Sequence, residues 1–230
     1  MSLQNWLAFG AHADDVEIGM GAAIKKETES GREVIICDLT EAELSSNGSV
    51  DIRKKEAQDA AGILGVKNRV NLKLADRGLY LQEDFILKMV SCIRKFKPEY
   101  VFAPYWVDRH PDHGSCARLV KEAVFSAGIK NIKDPDGRHA HKVKNIFYYF
   151  INSTERPSLF LNVSDSYSYK IKALQAYPSQ FVKTADSVDT PLTNGYIERV
   201  EARDRLFGLE AGTSYAEGFI PEHTYMTNNL

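Results

Sequence analysis

The chain has 230 residues and a formal net charge of -2, and 43% of its residues are hydrophobic while 26% are charged. This composition is typical of a globular protein with a substantial core, and the length suits one α/β domain, so we expect a single domain over residues 1–230. The near-neutral charge argues against nucleic acid as a partner, because nucleic-acid-binding proteins carry basic patches.

Hydrophobic periodicity predicts four strands and four helices that alternate along the first half of the chain. The strands are predicted at residues 6–11, 33–39, 70–74 and 100–103, and the helices at residues 18–30, 50–64, 84–95 and 113–127. Gly31, Gly65 and Gly128 follow three of these helices, where glycine favours termination. Such alternation produces right-handed βαβ units, so we expect a Rossmann-like, doubly wound α/β fold with a mainly parallel sheet and helices on both faces.

The region after Gly128 has a less regular pattern. Residues 130–144 are polar and are predicted to form a loop. Two further strands are predicted at residues 145–151 and 159–163, and two further helices at residues 166–176 and 193–209. No internal repeat or low-complexity linker divides the chain.

Three features of the sequence point to the cytoplasm. The first six residues lack the basic start of a signal peptide. No apolar stretch approaches the roughly 18 residues that span a bilayer, so we expect no membrane partner. The three cysteines, Cys37, Cys92 and Cys116, are odd in number and not closely spaced, which argues against a disulfide framework.

Two clusters of histidine and aspartate follow the ends of predicted strands. Residues 10–17, GAHADDVE, follow the first strand, and residues 104–113, PYWVDRHPDH, follow the fourth. In a sheet of strand order 3-2-1-4 these strands are neighbours, and ligands bind in the crevice at their carboxyl ends. We therefore expect His12, His110 and His113 to converge on one pocket.

Three residues of this predicted pocket have the chemistry of a metal site. His12, Asp15 and His113 offer two imidazoles and one carboxylate, and a catalytic zinc ion typically has three protein ligands of these types. Iron(II) would accept the same ligands, because imidazole and carboxylate are not selective. We therefore expect Zn²⁺, with Fe²⁺ as an alternative.

The remaining polar residues suit catalysis. Zinc lowers the pKa of water to roughly 7, and Asp14 could then accept the proton. His110 could stabilise an oxyanion or protonate a leaving amine. Asp112 could orient His110 and keep it charged. Together these parts make a metal-assisted amide hydrolase.

Each motif alone has a simpler interpretation. An Asp-Asp pair after a strand commonly caps a helix, because its carboxylates accept unpaired N–H groups. A His-Pro-Asp-His segment can be a solvated loop. The occurrence of both motifs at two strand ends that the fold makes adjacent favours the metal site.

At these residues the sequence resembles the PIG-L/LmbE-like deacetylase family. The family's signature is Ala-His-Pro-Asp-Asp-Glu after the first strand and His-x-Asp-His after a later one. Residues 11–17 read AHADDVE and residues 110–113 read HPDH. Ala13 replaces the usual proline, and Glu17 falls one position late. The resemblance is strongest over residues 6–128.

This resemblance implies a role for each matching residue. Zinc would be bound by His12, Asp15 and His113. Asp14 would be the general base, and His110 would be the electrophilic or acid partner. The implied reaction is removal of acetate from an N-acetylated amino sugar.

Residues 39–49, LTEAELSSNGS, further resemble the bacillithiol-biosynthesis branch of the family. Those enzymes deacetylate N-acetylglucosaminyl-malate, and close relatives look hexameric, so we expect a homo-oligomer. Arg53 could hold a malate carboxylate through a bidentate contact, or could instead be an exposed arginine that pairs with Asp51 or Glu56. Asp76 could accept sugar hydroxyls, or could be a turn residue.

Three alternatives stay open. A metal-free nucleotide-binding protein would need Gly-x-Gly-x-x-Gly, but Ile24 stands where the third glycine belongs after Gly19 and Gly21. A non-catalytic metal or sugar-binding module would need neither Asp14 nor His110. Within the deacetylases, the substrate could be a chito-oligosaccharide or another N-acetylglucosaminide.

Overall fold

A computed structural model describes residues 5–224, and its central feature is a seven-stranded sheet. The strand order is β3-β2-β1-β4-β5-β7-β6. The strands are β1 (Trp6–Gly10), β2 (Val34–Thr40), β3 (Asn68–Leu74), β4 (Tyr100–Pro104), β5 (Asn145–Tyr149), β6 (Leu159–Asn162) and β7 (Ala216–Pro221). The first five strands pair in parallel, which confirms the doubly wound fold and the predicted order 3-2-1-4.

Helices follow most of the parallel strands and cover both faces of the sheet. They are α1 (Asp15–Glu29), α2 (Val50–Leu64), α3 (Glu83–Phe96), α4 (Pro111–Ala127), α5 (Tyr167–Gln175), α6 (Pro178–Phe181) and α7 (Tyr196–Ala211). One hydrophobic cluster joins α1, α2, α5 and α7 to one face, and a second joins α3 and α4 to the other. The core thus has two layers that are separated by the sheet.

The edge beyond β5 is antiparallel and contains one strand that the sequence pattern did not predict. β7 pairs antiparallel with both β5 and β6. Its second residue, Glu217, is fully buried, so the strand lacks the apolar alternation that signals a half-buried strand. The short helix α6 was also missed.

Two helices begin two or three residues earlier than predicted, and both begin at the polar clusters. α1 starts at Asp15 instead of residue 18, and α4 starts at Pro111 instead of residue 113. The cluster residues therefore belong to helix N-termini at the carboxyl ends of β1 and β4.

The structure also bears on the predicted absence of a membrane span. Among residues 5–224, no helix is both long enough and apolar enough to cross a bilayer. Residues 1–4, on which the signal-peptide argument largely rests, lie outside the described part of the chain, as do residues 225–230 of the expected single domain.

Candidate active site

The two polar clusters meet where the carboxyl ends of β1 and β4 lie side by side. β1 and β4 pair in parallel from Trp6 with Tyr100 onward. The ring centre of His110 lies 4.9 Å from those of both His12 and His113, and the rings of His12 and His113 are 5.9 Å apart. The structure therefore brings the three histidines into one site.

Asp15 lies between two of these imidazoles. Its Oδ1 is 3.1 Å from Nε2 of His113, and its Oδ2 is 3.6 Å from Nδ1 of His12. Burial disfavours the charged carboxylate, but His113 and His12 outweigh this effect and hold the pKa of Asp15 well below its ordinary value. Asp15 is therefore an ionised, buried carboxylate with an imidazole on each side.

A second carboxylate lies beside the other ring nitrogen of both His12 and His113. Nε2 of His12 lies 3.2 Å from Asp76, and Nδ1 of His113 lies 2.9 Å from Asp108. Burial opposes a charge on His113, but Asp15 and Asp108 raise its pKa to about 9. Carboxylates behind metal-bound histidines orient the ring and increase its basicity. Asp108 was not singled out from the sequence, although it stands inside the second cluster.

The donor atoms of the site suit a metal ion. Two groups of residues each bring three ligand atoms within 4.8 Å of one another. One group is His12, His110 and His113, and the other is His12, Asp76 and Asp112. The same carboxylates that favour a proton on His12 and His113 would also favour a cation in its place. Neither group includes Asp15, but its two carboxylate oxygens lie near Nδ1 of His12 and Nε2 of His113, so these three residues stay the candidate ligands that the sequence predicted.

Asp14 is the residue before α1 and has an unusual backbone. Its φ is 113° and its ψ is -28°, outside the ordinary left-handed region, and such strain costs about 1–3 kcal/mol. Burial raises the pKa of Asp14 to about 7, against the opposing charge of Arg53. A carboxylate with a pKa near neutrality is suited to act as a general base.

Arg53 lies in the wall of the site and is committed to other partners. Its Nη1 donates to the Ala13 carbonyl at 2.7 Å and to Asp14 at 3.3 Å, and its Nη2 donates to Ser45 at 3.0 Å. Only 6% of Arg53 is exposed. The exposed pairing with Asp51 or Glu56 is therefore wrong, and the guanidinium is directed to the Asp14 turn.

The contacts of Asp112 correct its predicted partner. Its carboxylate accepts hydrogen bonds from Nη1 and the backbone N–H of Arg77, at 2.8 Å and 3.0 Å, and lies 3.5 Å from Nε2 of His12. The residue instead contacts His110 through its backbone N–H, because His110 caps the N-terminus of α4. Asp112 thus supports His12 and Arg77, and its carboxylate is not the group that orients His110.

His110 is held as a neutral donor. Its Nδ1 accepts the Asp112 N–H at 3.3 Å, so the ring proton lies on Nε2. Burial lowers the pKa of His110, and the charges of His113 and His12 lower it further. These contacts favour a hydrogen-bond donor over a permanently charged imidazolium.

A cleft of about 240 Å³ opens above these residues. The cleft is lined by residues of both polar clusters, by the loop after β2, and by Pro191 and Tyr196. Arg109 lies at its exposed rim. Among the described lining residues, Arg109 is the arginine with no carboxylate partner, since Arg53 contacts Asp14 and Arg77 contacts Asp112.

Several known proteins are similar to this chain in sequence or in fold. Diacetylchitobiose deacetylase from Thermococcus kodakarensis is 31% identical over 230 residues, covering 94% of this chain and 82% of the relative. A probable N-acetyl-alpha-D-glucosaminyl L-malate deacetylase from Bacillus anthracis is 29% identical and covers 67% of each chain. The crystal structure of a conserved protein from Thermus thermophilus superposes with a TM-score of 0.89 at 32% identity, covering 99% of this chain and 98% of that one.

The family comparison covers both the first polar cluster and the second. The PIG-L family, described as GlcNAc-PI de-N-acetylase, matches residues 7–124, which include His12, Asp15 and His113. This match spans just over half of the chain, and the Thermococcus relative extends the similarity to nearly all of it. The chain therefore belongs to the PIG-L family and is a deacetylase.

Proposed function

We propose that this deacetylase hydrolyses the acetamide of an N-acetylglucosaminide with an anionic aglycone, and that it uses zinc held by His12, Asp15 and His113. The observation that carries the proposal is the position of Asp15 between two imidazoles, each backed by a further carboxylate. A buried carboxylate such as that of Asp15 needs a cation beside it. Asp14, the preceding residue, has a pKa of about 7.

Each residue of the site has a role in amide hydrolysis. When bound, zinc would supply Lewis acidity and would lower the pKa of water to about 7. Asp14 accepts a proton from the attacking water while the C–O bond forms. Nε2–H of His110 donates a hydrogen bond to the oxygen that gains negative charge. The Asp14 carboxyl then gives its proton to the amine nitrogen as the C–N bond breaks, leaving a free amino sugar and acetic acid, which releases its proton to the solvent as acetate.

The rim of the cleft favours an anion on the substrate. Arg109 has no carboxylate partner among the described residues, and it lines the cleft at an exposed position. A hydrogen bond to a charged group contributes about 1.5–3 kcal/mol. We assign this role to Arg109 in place of Arg53, because Arg53 is already bound to the Ala13–Asp14 turn. Malate is the aglycone named for the Bacillus anthracis relative.

A second candidate substrate is diacetylchitobiose, which the name of the Thermococcus relative supports. An exposed aromatic side chain would offer a large apolar face for a second sugar ring. Apart from histidine, the aromatic residue among the described lining residues is Tyr196, and it is only 6% exposed. The lining therefore favours the anionic substrate over the disaccharide.

A substrate panel tests the proposal. N-acetylglucosaminyl-malate, diacetylchitobiose and methyl N-acetylglucosaminide would be compared by kcat/KM, in wild type, Arg109→Ala and the control Arg118→Ala on the exposed side of α4. We expect Arg109→Ala to lose about ten- to hundredfold on the malate substrate alone. A wild-type preference for diacetylchitobiose would overturn the anionic aglycone and leave the deacetylase intact.

A further inference from the structure

The backbone at Asp14 is the most unusual among the described non-glycine residues. The other four with positive φ, at 48–57°, lie in or near the ordinary left-handed region: Ala42, Lys73, Arg77 and Lys97. Asp14 alone has a φ of 113°. A residue held in this conformation needs surrounding contacts that keep it there.

Arg53 contacts both this strained residue and the residue before it. Nη1 donates to the carbonyl of Ala13, which precedes the strain, and also to the Asp14 carboxylate. Alanine leaves φ free at position 13, whereas a proline there would fix it near -65°. The turn is therefore restrained from outside, by a side chain that comes from α2.

Arg53 also connects this turn to the wall of the cleft. Its Nη2 donates to Ser45, which lies in the loop after β2 and contacts Gln180 at 3.4 Å. Arg53 lines the cleft on one side and a separate cavity of about 260 Å³ on the other. Removing its guanidinium would therefore take away the contacts to the turn and the contact to Ser45.

We propose that Arg53 is a positioning residue that clamps the Ala13–Asp14 turn and thereby holds the Asp14 carboxylate in its reactive position. This inference rests on the proposed function, in which Asp14 is the general base. It assigns Arg53 to the chemistry step and not to recognition of an anionic aglycone. Loss of the Arg53 guanidinium should therefore lower kcat by the same factor for every acetylated substrate.

Kinetics of two variants test the assignment. Arg53→Met keeps much of the side-chain volume and removes the donors, while Arg53→Lys keeps the charge without the planar fork. A misplacement of about 1 Å can cost about 10²-fold in rate, so we expect such a loss in kcat for Arg53→Met, and a smaller one for Arg53→Lys. KM should change little, and bound metal should stay at the wild-type level. A rise in KM for the malate substrate alone would overturn the inference.

A double-mutant cycle separates positioning from general destabilisation. In an Asp14→Asn background, Arg53→Met should cost little more, because the base that it positions is gone. A full additional loss would contradict the clamp. Arg94→Met is the matched control: Arg94 is also buried, and its guanidinium holds the carbonyls of Ala127, Ile129 and Ile132 on the other face of the sheet. The Arg94→Met variant should lower the free energy of unfolding and leave kcat unchanged.

A structural readout keeps this inference distinct from the proposed function. Crystal structures of wild type and Arg53→Met would show whether the Asp14 backbone leaves φ near 113° when the clamp is removed. An unchanged turn in Arg53→Met would overturn the inference even if the enzyme is an active deacetylase. A relaxed turn in an enzyme that deacetylates no N-acetylglucosaminide would support the clamp and reject the proposed function.

Discussion

The carboxylate of Asp108 lies 2.9 Å from Nδ1 of His113. The opposite nitrogen of the same ring lies 3.1 Å from Asp15, so the imidazole is fixed between two carboxylates. Asp108 also accepts hydrogen bonds from the backbone N–H groups of His110 and Asn152, which fix its own position. One side chain thus orders the second polar cluster.

We expect Asp108→Asn to weaken metal binding by about 10- to 100-fold, because a carboxylate behind a metal-bound histidine orients the ring and increases its basicity. A competition titration with a chromogenic chelator would measure the affinity. Asp59→Asn, on the exposed side of α2, is the control. Equal affinities in the two variants would show that Asp108 does not support the metal site.

Asp14→Asn should keep the metal and lose about 10²–10⁴-fold in kcat. The amide is nearly isosteric with the carboxylate but cannot accept the proton of water near neutral pH. Steady-state acetate release, with metal content measured on the same sample, checks both halves of this expectation. Near-normal turnover would remove Asp14 from the role of general base.

His110→Asn distinguishes an oxyanion donor from a metal ligand. Because Nδ1 of His110 already accepts the Asp112 N–H, we expect this variant to retain the metal and to lose about 10²–10³-fold in kcat, as is typical for loss of one oxyanion donor. Metal analysis after gel filtration provides the test. Loss of the metal would place His110 among the ligands, together with His12 and His113.

Lys170 should be important for stability and not for catalysis. Its ammonium is fully buried and lies 2.7 Å from Asp204 and 2.7 Å from Glu217. Lys170→Met would leave the buried Glu217 without its cation and Asp204 with Arg203 alone, so we expect a loss of about 3–5 kcal/mol in the free energy of unfolding. Denaturant titration would measure it. Lys172→Met, at an exposed position of the same helix, should cost far less, and an equal loss in both would contradict this explanation.

The fold and the convergence of the two clusters could be predicted from the sequence because both depend on local patterns. Alternating strands and helices determine a parallel sheet, and a sheet of order 3-2-1-4 brings the ends of β1 and β4 together. The proximity of His12 and His113 could therefore be predicted without knowing any contact between residues distant in sequence.

The partners of individual charged side chains could not be predicted, because they depend on contacts that are distant in sequence. Glu17 is bound by Arg69 and Tyr177, and Glu217 accepts the N–H groups of Ala22 and Ala23 inside α1. Sequence neighbours suggested Asp51 or Glu56 for Arg53, but Arg53 lies on the buried face of α2. The sequence pattern failed to predict strand β7 for the same reason, since Glu217 interrupts its apolar pattern.

The central claim is tested most directly by acetate release from N-acetylglucosaminyl-malate before chelation, after chelation and after zinc is restored. We predict one acetate for each free amine in the untreated enzyme, loss of turnover after chelation, and recovery on addition of about one zinc ion per chain. His113→Ala should not recover, because it lacks a ligand. Full turnover in the chelated enzyme, or recovery in His113→Ala equal to that of wild type, would contradict the account.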